Sequence, residues 1–292
     1  MQDTAGTTPS REGDGLVITR KTIDIRKVFG SKNQKLAALM PGFVFRYIRR
    51  IIHEDELNDF LWKNRDKSGL DFVEVALKNF EVQLEVHGLE NLPAQGRCTV
   101  VSNHPLGGLD GIALMHILGN VRKDVVTPAN DLLMFLPNLR SLFVPINKHG
   151  RNNENIALIN SAFGSDNLML YFPAGLCSRK QKGGVICDLE WKSTFISKSV
   201  RNQRTVIPVH FKGNNSQFFY NLARLRKWLG IKANIEMFYL VNEMFKHRKR
   251  KFVITIGTPI PPSFFDRSKK PAAWADWVKR EVYRLGNEPI VG

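Results

Sequence analysis

Cys98-Thr99-Val100-Val101-Ser102-Asn103-His104-Pro105-Leu106-Gly107-Gly108-Leu109-Asp110-Gly111 is the stretch on which the fold turns. A short β-prone run, Cys98 to Ser102, breaks at Pro105 and a Gly107-Gly108 pair, and a helical pattern from Ile112 to Leu118 follows. A strand that leaves directly into a Gly-rich turn exposes its next side chains at its carboxyl end, where α/β folds carry their sites. His104 is the first candidate there, because an imidazole can act as a general base near neutral pH. Asp110 is the second, since a carboxylate on the other ring nitrogen fixes the tautomer and stabilises the imidazolium. On one ideal helix a six-residue separation turns side chains about 240° apart. The two therefore meet only if His104 lies in the turn and Asp110 begins the helix, with the glycines permitting the tight path. The same residues also allow Asp110 to N-cap a helix from Gly111 and His104 to be a loop histidine.

Outward from this stretch, β-rich runs recur at Val125 to Thr127, Phe143 to Ile146, Leu168 to Phe172, Val206 to Phe211 and Phe252 to Ile256. Between them lie helical patterns at Asn152 to Phe163, Lys192 to Arg201, Phe218 to Leu229 and Trp274 to Leu285. That rhythm predicts an α/β fold, a mixed sheet flanked by helices. Upstream, Phe80 to Val86 alternates apolar with polar residues, the period of a half-buried strand. Lys35 to Ser68 and Leu70 to Asn79 read as helical. The expected organisation is a disordered leader at 1–15, an N-terminal helical extension at 16–79 that is a candidate for membrane association, and an α/β domain at 80–292.

The chain has 292 residues, 43% hydrophobic, with 43 Lys and Arg against 27 Asp and Glu, net +16. That composition excludes disorder, collagen and coiled coil for the whole, and the charge calls for an acidic partner, surface or substrate. Cys98, Cys177 and Cys187 cannot all pair and have no CxxC spacing, so a reducing compartment and no metal site are expected. No stretch reaches the roughly 18 apolar residues of a spanning helix, and the start lacks a secretory pattern.

Asn103-His104 with Asp110, then Phe172-Pro173-Ala174-Gly175 and Val206-Ile207-Pro208-Val209, resembles in order the motifs of the glycerolipid (lysophosphatidic acid type) acyltransferases. The resemblance runs from about Leu89 to Pro262. It departs from the usual pattern in three places: five residues rather than four separate His104 from Asp110, Ala174 stands for the turn's Glu, and Leu176-Cys177 replaces Thr-Arg. These versions look like the hemolysin-like or ornithine-lipid branch. The resemblance implies transfer of an acyl group from a thioester of acyl carrier protein or coenzyme A to the hydroxyl of a lyso-aminolipid (lyso-ornithine or lyso-glycine lipid), with no cofactor. The alternative acceptor is 1-acylglycerol-3-phosphate. It further implies a peripheral enzyme on the cytoplasmic face of the inner membrane, with acyl carrier protein or coenzyme A thioester, lyso-lipid and membrane surface as partners.

In that scheme His104 takes the hydroxyl proton, Asp110 supports the imidazolium, and backbone N–H groups of Gly107 and Gly108 are candidate oxyanion donors. Asn103, Phe172, Pro173, Gly175, Lys148 and Arg179 complete the candidate substrate-binding set, Arg179 as a partner for a carboxylate or phosphate or else part of a solvated basic loop. Cys177 and Ser178 are weighed as nucleophiles and set aside for want of a neighbouring histidine, and His210 reads as structural or pocket-lining. Phe43 to Ile52 and Phe218 to Leu229 are basic and amphipathic, suited either to an anionic bilayer or to the core. The run Lys246 to Lys251 is a solvated turn or a docking patch for acidic lipid or carrier protein. A nucleic-acid binder shares the charge but lacks any zinc-finger, RNP-like or helix-turn-helix signature, so no nucleic acid is expected.

Overall fold

The computed structural model describes residues 18–32, 34–130, 133–146 and 152–290. Five helices come first: α1 (Ile25–Lys32), α2 (Gln34–Leu39), α3 (Gly42–Ile51), α4 (Glu54–Lys63) and α5 (Gly69–Phe80). There follow β1 (Gln83–His87), β2 (Cys98–Ser102), α6 (Leu109–Val121), β3 (Val125–Ala129), β4 (Phe143–Pro145), α7 (Asn152–Gly164), β5 (Leu168–Tyr171), β6 (Arg179–Lys180) and β7 (Ile186–Cys187). The chain ends with α8 (Thr194–Arg201), β8 (Thr205–Lys212), α9 (Gln217–Trp228), α10 (Leu240–Lys246), β9 (Lys251–Ile256) and α11 (Pro271–Leu285). The expected strand from Phe80 instead begins at Gln83, because Phe80 is buried as the last residue of α5 and Glu81 stops that helix in a left-handed conformation at φ 51°. The expected leader at 1–15 lies outside the described residues.

A seven-stranded mixed sheet has the order β1-β9-β8-β2-β5-β3-β4. Strand β2 runs parallel to both neighbours, β5 and β8, while β9 is antiparallel to β8 and parallel to β1. All five residues of β2 are buried, as in a central strand covered on both faces. Its side chains alternate between two cores. Val100 joins Ile207, Val209 and Phe211 of β8 with Leu109, Ala113 and Leu114 of α6, whereas Val101 joins Phe195 of α8 and Trp274 and Val278 of α11. Each fully buried large apolar side chain contributes roughly 1.5–3 kcal/mol. Truncating Leu114, which α6 drives into the first core, is expected to cost roughly 2–5 kcal/mol.

Helices α4 and α5 do not form a core apart from the sheet. Leu61 of α4 and Phe72, Val73 and Leu77 of α5 belong to the same cluster as Val100 and Ile207, so the expected division at 79/80 falls inside one shared core. Helices α1 and α3 make a satellite cluster in which Ile25, Phe45, Ile48 and Ile52 pack with Phe238 and Val241.

At the amino ends of the central strands Arg204 is fully buried, with no carboxylate on its guanidinium among the described residues. It donates instead to the carbonyls of Cys98, Phe163, Ser165 and Asn167, binding the start of β2 to the end of α7. Burial pushes its pKa down to about 10, and five donors are still spent on acceptors that would otherwise be orphaned there. At the opposite, carboxyl ends β2 and β5 finish level, since Val101 pairs with Tyr171, and β8 runs on past the pairing of Ser102 with Val209 to Lys212. Residues just beyond those pairs must therefore meet.

Candidate active site

His104 leaves β2 into the turn, and Asp110 is the second residue of α6, as the spacing argument requires. Nδ1 of His104 lies 3.0 Å from Oδ2 of Asp110. That carboxylate is fully buried and also accepts from the backbone N–H of Leu106 (2.9 Å), Gly107 (3.3 Å), Gly108 (2.9 Å) and Gly111 (2.9 Å). Asp110 thus holds both roles left open by the sequence, organising the turn at the helix start and partnering the imidazole. The turn needs glycine at 107: φ is +78°, and a Cβ there would stand 3.0 Å from Cys177 Cβ and from Leu240. One expectation is corrected. The N–H groups of Gly107 and Gly108 point at Asp110, so they are not free to serve as oxyanion donors.

Burial acts to lower the pKa of His104, but the charge and hydrogen bond of Asp110, helped by the charge of Asp188, outweigh it and the net shift is upward. Burial likewise opposes ionisation of Asp110, yet His104 and the turn's N–H groups hold its carboxyl below the usual range. With Nδ1–H committed to Asp110, Nε2 carries the lone pair and makes no hydrogen bond within the described residues. The imidazole is 18% exposed.

Phe172 follows β5 and stacks on the His104 ring with centroids 4.1 Å apart and planes at 27°. Pro173 is buried and its carbonyl accepts from Lys192 N–H, while the exposed Gly175 turns the chain at φ +65°. Ala174 sits in the second core with Trp191 and Phe195. Ser178 N–H then donates to the His104 carbonyl at 2.8 Å.

Two expected substrate contacts are placed otherwise. Asn103 is buried and its amide bonds both N–H and C=O of Phe211, latching the turn to β8 rather than facing a ligand. Arg179 is neither solvated nor free. It is 4% exposed, donates to the Cys177 carbonyl, and pairs at 2.9 Å with Glu236, which Arg226 grips from the other side at 2.8 Å. Lys148 lies outside the described residues. Cys177 is buried, and burial pushes its thiol up to about 11, so it stays protonated at neutral pH. Ser178 donates its hydroxyl to Asp188 at 2.6 Å, and no histidine ring nitrogen among the described residues hydrogen-bonds it. His210 is buried on the other face against Tyr283 and Glu288.

Asp188 and Glu236 went unnoticed in the sequence. Both are isolated acids between apolar residues; Asp188 meets His104 and Ser178, and Glu236 meets Arg179 and Arg226, only through tertiary approach.

The family described as Acyltransferase matches residues 27–289. The chain belongs to this acyltransferase family. It is 51% identical over 265 residues to proteins named lyso-glycine lipid O-acyltransferase from Phocaeicola vulgatus and Bacteroides thetaiotaomicron. Those alignments cover 90% of this chain and 95% and 97% of the relatives. Among solved structures, the 1-acyl-sn-glycerophosphate acyltransferase PlsC of Thermotoga maritima aligns with 91% of this chain and all of its own, at 18% identity and TM-score 0.45.

No helix among the described residues is long and apolar enough to cross a membrane. The run from Lys246 is largely tied down: Lys246 pairs with Glu243, Lys251 with Glu85, His247 is buried, and Arg248 lies over the Phe245 ring. Helix α9 is different. It buries Phe219, Tyr220, Ala223 and Arg226 and turns Phe218, Leu225, Trp228 and Leu229 outward, Trp228 being 80% exposed. On α3, Phe45 and Ile48 are buried but Phe43 and Tyr47 are exposed, and Tyr47 bonds Tyr239, whose ring meets Phe218.

Proposed function

We propose that this enzyme esterifies the free hydroxyl of a lyso-glycine lipid with a fatty acyl group taken from a thioester of acyl carrier protein or coenzyme A. The observation that carries the chemistry is the His104–Asp110 pair, with its second nitrogen turned out at the carboxyl end of β2. The head group is taken from the two relatives, 51% identical over nearly their whole length.

Nε2 of His104 removes the proton as the acceptor oxygen attacks the thioester carbonyl, and Asp110 stabilises the imidazolium. The new C–O bond forms, the C–S bond breaks, and the leaving sulfur takes the proton back from Nε2. No residue becomes acylated, in keeping with a buried, protonated Cys177 and a Ser178 already bound to Asp188.

The acceptor is a lipid, and the reading places the enzyme peripherally at the cytoplasmic face of the inner membrane. Its support is α3 and α9, whose exposed Arg46, Arg50, Arg224 and Lys227 stand beside outward aromatic side chains. Each cation near an anionic surface is worth about 1 kcal/mol. The test is acyl transfer by wild type and His104→Ala, with lyso-glycine, lyso-ornithine and 1-acylglycerol-3-phosphate acceptors side by side. A His104-dependent ester on the glycine lipid is the expected result. Turnover confined to the phosphate acceptor, or retained by His104→Ala, overturns it.

A further inference from the structure

The acyl transfer as drawn uses one carboxylate, yet a second, Asp188, is buried against the same histidine. Its Oδ1 accepts from the backbone N–H of His104 (3.2 Å) and from Ser178 Oγ (2.6 Å), and its Oδ2 from Trp191 Nε1 (2.9 Å). Ser178 in turn donates its N–H to the His104 carbonyl. Both backbone groups of His104 are thus held by one closed unit. That unit is anchored to α11, because Asp188 N–H donates to Tyr283 Oη at 2.7 Å and Lys279 Nζ binds the Asp188 carbonyl at 2.9 Å.

We propose that Asp188 is a positioning residue for acyl transfer, fixing the His104 backbone and lending its negative charge to the imidazolium. The inference rests on His104 being the base. A buried carboxylate is costly unless paired, and here its three hydrogen-bond donors are all neutral. Lys279 meets the main-chain carbonyls of Asp188 and Leu189. The charge of Asp188 is therefore not cancelled by a contact ion pair and remains available to the nearby ring. The other groups around that ring are accounted for: Asp110 from α6 binds Nδ1, and Arg179 from β6 opposes the imidazolium but is held by Glu236. Cys177 and Tyr283 are kept protonated by burial, and His247 behind Asp110 is kept neutral by it. Burial also raises the Asp188 carboxyl, against the pull of its donors Ser178 and Trp191.

The experiment is the pH profile of kcat/KM for wild type, Asp188→Asn, Asp188→Ser and Ser178→Ala, with His104→Ala as reference. In the neutral variants the acid limb should move down by roughly half a unit to one unit. This is less than the roughly 1–3 units of a carboxylate in direct contact, because Asp188 reaches His104 through the backbone. The plateau should fall as the base weakens. Ser178→Ala keeps the charge and should leave the limb where it is. Asp188→Ser leaves room for a water between Trp191 and His104, and serves if the Asn amide, which must turn a donor towards one of those N–H groups, prevents folding. A lowered plateau with an unmoved limb makes Asp188 purely structural and overturns the proposal. A limb moved equally by Ser178→Ala assigns the effect to the hydrogen bond and also overturns it. Activity in His104→Ala would instead sink the general-base reading.

Discussion

Replacing Asp110 by Asn keeps the size of the side chain and removes its charge and one acceptor. In the native turn Oδ2 serves His104, Leu106 and Gly107, and Oδ1 serves Gly108 and Gly111. An Asn oxygen can satisfy only one of those sets, and the amide turns a donor towards the other. Losing charged acceptors for two or three buried donors is expected to cost about 2–4 kcal/mol in stability. In a chain this long that lowers Tm by roughly 3–7 °C. The catalytic cost is larger. If the amide faces His104, Nδ1 must accept, the proton moves to Nε2, and the nitrogen facing substrate loses its lone pair. A kcat/KM loss of roughly 10³–10⁴ follows, about 4–5.5 kcal/mol in the barrier. The assay is steady-state acyl transfer by purified Asp110→Asn beside a thermal melt, well below the lowered Tm. A variant with the reduced Tm but near wild-type kcat/KM would refute the reasoning and leave Asp110 as a helix cap alone.

Because the pKa of His104 is raised, kcat/KM should climb with pH through a midpoint above the ordinary histidine value of 6.5, as neutral imidazole is the active form. The pair's contribution to folding has the corresponding sign: the His104 part is full below about 6.5 and fades as pH rises through the raised value, which a melt series reads out. Arg179→Met should cost about 3 kcal/mol in denaturant unfolding, the lower end of the range for breaking a buried pair because Glu236 keeps Arg226, with acceptor KM nearly unchanged. Trp228→Ala combined with Leu229→Ala should reduce sedimentation with phosphatidylglycerol vesicles several-fold while Tm holds, as both side chains are exposed. Unaltered binding assigns the outward face of α9 another role.

The strand, turn and helix that carry His104 and Asp110 were legible because apolar run, glycine pair and carboxylate fall in local order. The mixed sheet followed from the alternation of strands and helices, and the family from three ordered motifs. What escaped depends on distant segments. Periodicity on α9 showed one apolar face but not that Phe218, Leu225 and Leu229 face out while Arg226 is buried; nothing local marks the partner Glu236 that permits this. The two-residue strands β6 and β7 are too short for a period, and α10, one short helix among irregular turns, carried no signal of its own. Asn103 and Arg179 look like ligand contacts in a list of polar residues beside a site. Their neighbours across the fold claim them first.

The imidazole is held along its edge by Asp110, on its face by Phe172, and through its backbone by Ser178 and Asp188. A ring so restrained cannot flip between pick-up and delivery of a proton. One nitrogen must face the attacking oxygen first and the departing sulfur later, so both atoms have to pass within reach of the same fixed point. Each turnover then passes the acceptor's hydroxyl proton through that one nitrogen to the departing thiol.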